Sequence, residues 1–184
     1  MLAPELAARL AELATPDRPG LLHDGLLPAH RLVAEDHLHL TLVFLGDRHK
    51  NELTEIHESV ERAVAGQRAF ELCTQRLMTL PRRQTPRLLA AVTDEPPTLL
   101  EIHRRLVSRL IRPVLREKKT TPFLPHVTLL RYEPGTSPPD VDLPLDVAEQ
   151  VRIAVGEVHL VESIATMRGA EYRIVRAFPL RDGK

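Results

Sequence analysis

The chain is poor in the residues that form disulfide frameworks and broad base-stacking surfaces. Cys73 is its one cysteine among 184 residues, so no disulfide can form within the chain and a reducing compartment is expected. Tryptophan is absent and aromatic residues make up 3% of the chain, which argues against a wide surface for stacking nucleic-acid bases. Lys and Arg number 25, as do Asp and Glu, so any RNA site must be a local patch.

The sequence also lacks long apolar runs. The stretch Met1-Leu-Ala-Pro-Glu-Leu has neither a basic region nor an uninterrupted apolar region, and no segment approaches the length of a membrane span. These features predict a cytoplasmic protein without a membrane partner. A chain of 184 residues is long enough for one large domain or two small lobes, and its 43% hydrophobic residues are typical of a globular protein with a core.

Two short stretches repeat one pattern about half a chain apart. Both His39-Leu40-Thr41-Leu42 and His126-Val127-Thr128-Leu129 read His-x-Thr-x within apolar, β-branched surroundings. Side chains alternate along a strand, so each histidine is expected to share a face with the threonine two positions on. One such stretch is typical of an ordinary half-buried strand, whereas two copies in similar settings predict a shared site.

The spacing of apolar residues predicts three helices and a larger number of strands. Helical periodicity covers residues 4–14, 51–65 and 97–111. Strands are predicted at 31–33, around each His-x-Thr-x stretch, and at 70–73, 77–80, 88–92, 151–161 and 172–178. Proline-rich and glycine-rich loops are predicted at 15–25 and 132–144. This order of elements predicts an α+β fold with mostly antiparallel strand pairing.

Two histidines that face a common groove can act as a general acid and a general base. Imidazole has an unperturbed pKa of about 6.5, so near neutral pH one ring can be neutral and the other protonated. The hydroxyls of Thr41 and Thr128 can donate hydrogen bonds to an anionic oxygen. This set of groups suits a phosphoryl group with a departing alkoxide. Neither stretch contains a carboxylate, so a serine-nucleophile triad is not indicated.

The sequence resembles the 2H phosphoesterases, and within them the RNA 2′,3′-cyclic phosphodiesterase family, also called 2′-5′ RNA ligases. Residues 39–46 and 123–131 look like the paired HxTx motifs of that family. Further similar stretches are Arg31-Leu-Val-Ala-Glu-Asp, Pro86-Arg87-Leu-Leu, Val161-Glu-Ser163, Gly169-x-x-Tyr172 and Phe178-Pro-Leu. The similarity extends over nearly the whole chain.

The resemblance implies a bilobal, pseudo-symmetric, LigT-like α+β fold. Two mostly antiparallel sheets would line a central cleft, with the helices outside. Residues 1–184 would form a single domain with one HxTx motif in each lobe, at 39–42 and 126–129. We further expect a monomer that requires no cofactor and no metal.

The resemblance also implies metal-independent hydrolysis of an RNA-terminal 2′,3′-cyclic phosphate to a 2′-phosphate, with ATP-independent 2′-5′ RNA ligation as a weak reverse reaction. In that assignment His39 is the proton donor and His126 the proton acceptor. Thr41, Thr128 and Arg131 bind the phosphate. Arg131 lies five positions after His126, so strict alternation places it on the opposite face unless the strand ends or bulges between them.

Three alternatives remain open from the sequence. A hydrolase of small 2′-5′ oligonucleotides or cyclic nucleotides would use the same residues. An RNA-end binding module without turnover is kept open by one departure from the family. Met1 stands almost at the first helix, so either the start is displaced or the strand that usually precedes this helix is missing. A zinc site made by His37, His39 and His126 is the third, although no cysteine or carboxylate stands at a standard ligand spacing.

Several other residues receive structural or divided interpretations. The arginines of the loop 81–87 indicate either an RNA path or a plain charged loop; they are Arg82, Arg83 and Arg87. Cys73 is expected in the core, and Ser163 and Tyr172 in core or turn positions. The remaining histidines considered are expected on helix faces or ends; they are His49, His57 and His103.

Overall fold

The computed structural model describes residues 4–14, 28–111, 122–166 and 169–182. The chain divides into two compact units. Unit 1 comprises Met1–Thr41, Leu72–Asp94 and Leu124–Ile153, and unit 2 comprises Leu42–Glu71, Glu95–Phe123 and Ala154–Lys184. None of the helices in the described ranges is long and apolar enough to cross a membrane.

The three predicted helices are present. They are α1 (Pro4–Glu12), α2 (Leu53–Val64) and α3 (Pro97–Leu106). The helix predicted over residues 97–111 is α-helical through Leu106 and continues as a π-helical segment, Val107–Ile111. A short 3-10 helix, Lys50–Glu52, precedes α2, and the backbone N–H of His49 donates to the Glu52 carboxylate at 2.7 Å. Proline at the first position of α3 fits a helix start, where its missing N–H costs nothing.

Six strands form an antiparallel sheet. They are β1 (His30–Leu32), β2 (Phe70–Leu80), β3 (Leu88–Thr93), β4 (His126–Tyr132), β5 (Asp142–Pro144) and β6 (Arg152–Val155). The sheet order is β1-β4-β3-β2-β5, and β6 also pairs with β2. Where registers are defined, neighbouring strands are antiparallel. The prediction of an α+β fold with mostly antiparallel pairing is confirmed.

The core of unit 1 lies between this sheet and the segments that cover it. Leu77 of β2, Leu89 of β3 and Leu130 of β4 are fully buried, as is Leu10 of α1. Residues Leu89 to Thr93 are buried in succession, as expected for a strand with neighbours on both sides and both faces covered. Burial of these side chains supplies most of the driving force for folding the unit.

Unit 2 contains a long hairpin together with α2 and α3. Strands β7 (Glu157–Thr166) and β8 (Gly169–Pro179) pair antiparallel over their length. Its core is a cluster of nine buried residues from the helices, the hairpin and the segment after it: Ile56, Val60, Ala63, Val64, Ile102, Leu106, Val158, Phe178 and Leu180.

Strand boundaries depart from the sequence prediction in three places. Residues 70–73 and 77–80 were predicted as two strands, but β2 is continuous because a register shift between Thr74 and Arg76 lets the exposed Gln75 bulge out. The predicted loop 132–144 contains β5. The predicted strand 151–161 is divided at Gly156 into β6 and β7. The predicted loop 15–25 lies outside the described residues.

The first His-x-Thr-x stretch is not a full strand, which corrects the prediction. Leu40 forms an isolated antiparallel bridge with Val127, and no strand continues from it through residue 46. Leu42, Val43 and Leu45 instead pack their side chains against the core of unit 2, while Phe44 is 83% exposed. A strand requires backbone pairing with a neighbouring strand over several residues. In this described stretch, such pairing is limited to the bridge at Leu40.

Candidate functional site

Both histidines and both threonines of the repeated pattern meet on one face of unit 1. The antiparallel bridge between Leu40 and Val127 places His39 directly opposite Thr128, and Thr41 directly opposite His126. Directly opposite residues in an antiparallel pair share a face, with Cβ atoms about 4.5–5.5 Å apart. The four side chains therefore form a local twofold arrangement about the bridge.

Unit 1 holds both of these pairs. The family resemblance led to the expectation of one motif in each lobe. The Leu40–Val127 bridge ties the first motif to the strand that carries the second. That residues 1–184 form a single domain with one motif in each lobe stays a prediction.

The two histidines have the same tautomer because each makes the same backbone hydrogen bond. Nδ1–H of His39 donates to the carbonyl of His37 at 2.6 Å, and Nδ1–H of His126 donates to the carbonyl of Leu124 at 2.8 Å. A carbonyl can only accept, so the proton belongs on Nδ1. Proton exchange with a substrate then falls to Nε2 in both rings.

His30 makes the same kind of hydrogen bond but lies on the other face of the sheet. Its Nδ1–H donates to the carbonyl of Pro28 at 2.9 Å. Its strand partner is Tyr132, which is buried on the face opposite His126 and Thr128. The hydrogen-bond pattern alone thus does not mark the candidate pair, and the shared face is needed as well.

The electrostatic environment of His39 favours its neutral form. Burial lowers its pKa below the ordinary value of 6.5, and the positive charge of Arg131 lowers it further. The hydrogen bond to the His37 carbonyl raises the pKa and only partly offsets these effects. The ring is therefore poised to be neutral in the free protein at neutral pH.

A bulge brings Arg131 to the same face as the histidines. In the β3–β4 register, Leu89 pairs with Leu130 and Ala90 with Thr128, so Leu129 is the extra residue. Leu129 and Leu130 are both buried, and Arg131 is exposed. The bulge shifts the alternation by one position and removes the obstacle that strict alternation posed for Arg131.

Arg31 stands directly opposite Arg131 in the β1–β4 pairing, and both side chains are exposed. This pairing places two positively charged side chains side by side on neighbouring strands. This pairing could not be predicted from the sequence, because it joins residues a hundred positions apart. The one available signal was that Arg31 opens a stretch resembling the family.

The other candidates lie in structural settings. Arg82 contacts Asp140 at 3.4 Å and Asp142 at 3.3 Å, which favours the charged-loop interpretation over an RNA path for that residue. Cys73 is buried, as expected. Ser163 and Tyr172 pair across the β7–β8 hairpin, and because Ser163 is exposed within a strand, the expected core or turn position is wrong for it. Within the ranges that the structure describes, no three His, Cys, Asp or Glu side chains are grouped as metal ligands.

Fold, motif geometry and sequence together define the family. The model of the 2′-5′ RNA ligase superfamily matches residues 3–166, and the chain belongs to this superfamily. It is 25% identical over 148 residues to a protein of Thermotoga maritima named RNA 2′,3′-cyclic phosphodiesterase, and the match covers 78% of this chain and 75% of that one. The resemblance predicted from the motifs is thereby confirmed.

A second relative, from Geobacillus stearothermophilus, is also named RNA 2′,3′-cyclic phosphodiesterase. Identity is 28% over 156 residues, or 84% of this chain and 49% of that protein, so the chain spans about half of that relative's length. Among solved structures, a Thermus thermophilus protein superposes with a TM-score of 0.77 at 28% identity, covering 100% of this chain and 96% of that one. Escherichia coli LigT in its apo form has a TM-score of 0.70 at 24% identity, with coverage of 98% and 94%, and this likeness concerns the fold alone.

Proposed function

We propose that this protein hydrolyses RNA ends that carry a 2′,3′-cyclic phosphate and leaves a 2′-phosphate. The observation that carries the proposal is the twofold arrangement of His39, Thr41, His126 and Thr128 about the Leu40–Val127 bridge. Two imidazoles with matching tautomers flank two hydroxyl donors on one face. Membership of a superfamily with relatives named RNA 2′,3′-cyclic phosphodiesterase supports this choice of substrate.

In the proposed reaction, water attacks phosphorus and the bond from phosphorus to the 3′-oxygen breaks. Nε2 of His126 accepts the proton from water, and Nε2 of His39 donates a proton to the departing 3′-oxygen. The two rings then return to their starting states by exchange with solvent. A well-placed proton transfer contributes about 10²–10⁴-fold in rate. The assignment of donor and acceptor follows the family resemblance, since the twofold geometry itself is symmetric.

The phosphate oxygens would be held by hydroxyl donors and by positive charge. Thr41 and Thr128 donate from positions opposite the two histidines. Arg131 adds its guanidinium from the same face, and Arg31 adds a second from the neighbouring strand. Arginine suits phosphate because its planar group can donate two parallel hydrogen bonds.

Substrate binding prepares His39 for its role. In the free protein its pKa is lowered, so few of the rings are protonated at neutral pH. An anionic phosphate beside the ring favours the protonated form and opposes the effects of burial and Arg131. Binding of the phosphate would therefore favour the protonated His39 that the reaction requires.

The test uses a short RNA ending in a 2′,3′-cyclic phosphate, incubated with the protein in EDTA, followed by analysis of the product end. A 2′-phosphate is the expected product. A 3′-phosphate would reverse the orientation of the substrate relative to His39 and His126. Binding without turnover would favour the RNA-end binding module instead. Loss of activity in EDTA that zinc restores would contradict the metal-independent mechanism.

Ligation through a 2′-5′ linkage is a second candidate, favoured by the superfamily to which the chain belongs. An RNA 5′-hydroxyl would take the place of water in the attack on phosphorus, so the two histidines would keep their roles. The test is incubation of the same cyclic-phosphate RNA with a 5′-hydroxyl RNA in the absence of ATP. A joined product is expected, and its junction should resist a nuclease specific for 3′-5′ linkages. Cleavage of the junction by that nuclease would contradict the 2′-5′ linkage.

A further inference from the structure

His103 on α3 contacts the segments that border both motifs. Its Nδ1–H donates to the carbonyl of Leu42 at 2.9 Å. Its ring stacks on Phe123, with centroids 3.9 Å apart and planes 9° from parallel. Leu42 follows Thr41 directly, and Phe123 stands three residues before His126. His103, Leu42 and Phe123 all belong to unit 2.

The contact with Leu42 replaces a hydrogen bond that a strand neighbour would otherwise supply. The backbone of the first motif is bridged only at Leu40, so Leu42 lies beyond the paired part of the motif. A half-buried carbonyl needs a donor, and the side chain of His103 provides it. A helix side chain thus sets the position of the Leu42 carbonyl, one residue beyond Thr41.

Contacts also fix the three residues that precede the second motif, Phe123 to Pro125. The carbonyl of Leu124 accepts from His126, and the carbonyl of Pro125 accepts from the backbone N–H of Thr93 at 3.0 Å. Phe123, at the start of this segment, is covered by the His103 ring. One imidazole therefore touches the borders of both motifs.

We propose that His103 is a positioning residue for the reaction, acting through Leu42 on Thr41, with the stack on Phe123 keeping its ring in place. The proposal rests on the proposed function of the two motifs. His103 does not touch the reacting groups itself. A displacement of about 1 Å in a substrate-positioning group can cost on the order of 10²-fold in rate.

Two variants separate the hydrogen bond from the stacking. His103→Phe keeps a flat ring against Phe123 and loses the donor to Leu42. His103→Asn restores a donor at a similar reach. We expect His103→Phe to lower kcat/KM for the cyclic-phosphate RNA by about 10- to 100-fold and His103→Asn to recover part of that loss. The matched control is His57→Phe on α2, since the His57 ring packs edge-on against Phe178 and not against Phe123.

A double-mutant cycle distinguishes positioning from general stabilisation. If His103 acts through Thr41, then His103→Phe has little further effect on a Thr41→Val background, because the group it positions is already gone. Additive losses, or unchanged activity in His103→Phe, would overturn the proposal.

A measurement that does not depend on turnover distinguishes failure of the proposed function from failure of the positioning role of His103. In NMR spectra, His103→Phe is expected to shift the backbone amide resonance of Thr41, and His57→Phe is expected to leave it in place. If the wild-type protein fails to hydrolyse the RNA but this shift is seen, the proposed function fails and the contact of His103 with the first motif stands. An unmoved Thr41 resonance contradicts the positioning role.

Discussion

His39 lies directly opposite Thr128, across the bridge that joins Leu40 to Val127. The same bridge sets Thr41 opposite His126. Each histidine is therefore beside the threonine of the other motif as well as two residues from its own. A phosphate on this face can meet an imidazole and a hydroxyl from either direction, and four predictions test this arrangement and the fold that supports it.

Replacing either candidate histidine by alanine is expected to lower kcat by about 10²–10⁴-fold, because each replacement removes one proton transfer. The change is measured with RNA ending in a 2′,3′-cyclic phosphate, with circular dichroism to check folding. His30→Ala is the matched control, since His30 has the same Nδ1–H hydrogen bond but lies on the other face. Full activity in His126→Ala would contradict the two-histidine mechanism.

Removing either arginine from the exposed face is expected to weaken binding of the RNA end. Arg31→Gln and Arg131→Gln should each raise KM by about 10- to 100-fold, since a hydrogen bond to a charged group contributes roughly 1.5–3 kcal/mol. Arg83→Gln, in the exposed loop after β2, should leave KM unchanged. Equal effects of all three substitutions would indicate a nonspecific attraction of the polyanion.

The pH dependence should depend on Arg131, whose charge lowers the pKa of His39. His39 must be protonated to act as the donor, so its lowered pKa reduces kcat/KM of the free enzyme on the alkaline side. Arg131→Gln removes one cause of the lowering, and the pKa then rises. The ratio of kcat/KM at about pH 8 to that at about pH 6 should therefore increase.

Arg131→Lys is the control for that experiment, because it keeps the positive charge and changes the shape of the group. Its pH profile should stay near that of the wild type even if its KM is higher. A profile that is the same in Arg131→Gln and in the wild type would remove His39 from the role of donor.

The sheet that carries the site should depend strongly on Leu130. This residue of β4 is fully buried, and Leu130→Ala is expected to lower the free energy of unfolding by about 2–5 kcal/mol through lost burial and a cavity. Leu32 is its direct partner on β1 but is 55% exposed, so Leu32→Ala should change stability little. Denaturant unfolding measures both, and a similar cost for the two would contradict the assigned burial.

Periodicity was sufficient to locate α1, α2 and most of α3, because their apolar stripes face a core at a spacing of three and four residues. It was less successful with strands. Two strands, 70–73 and 77–80, were predicted where β2 is continuous, and the bulge at Gln75 depends on pairing with the neighbouring strand. The short β5 is a strand through its pairing with β2. Its own sequence, Asp-Leu-Pro, is typical of a loop, so composition did not indicate a strand.

The sequence by itself determined the repeated His-x-Thr-x pattern, the family it indicates and the identity of the groups that can exchange protons or bind phosphate. The tertiary structure decided how those groups meet. The Leu40–Val127 bridge sets each histidine opposite a threonine, the Leu129 bulge turns Arg131 toward them, and β1 brings Arg31 beside it. Strand register and bulges arise from pairing between distant segments, so they are decided only where those segments meet in the folded sheet.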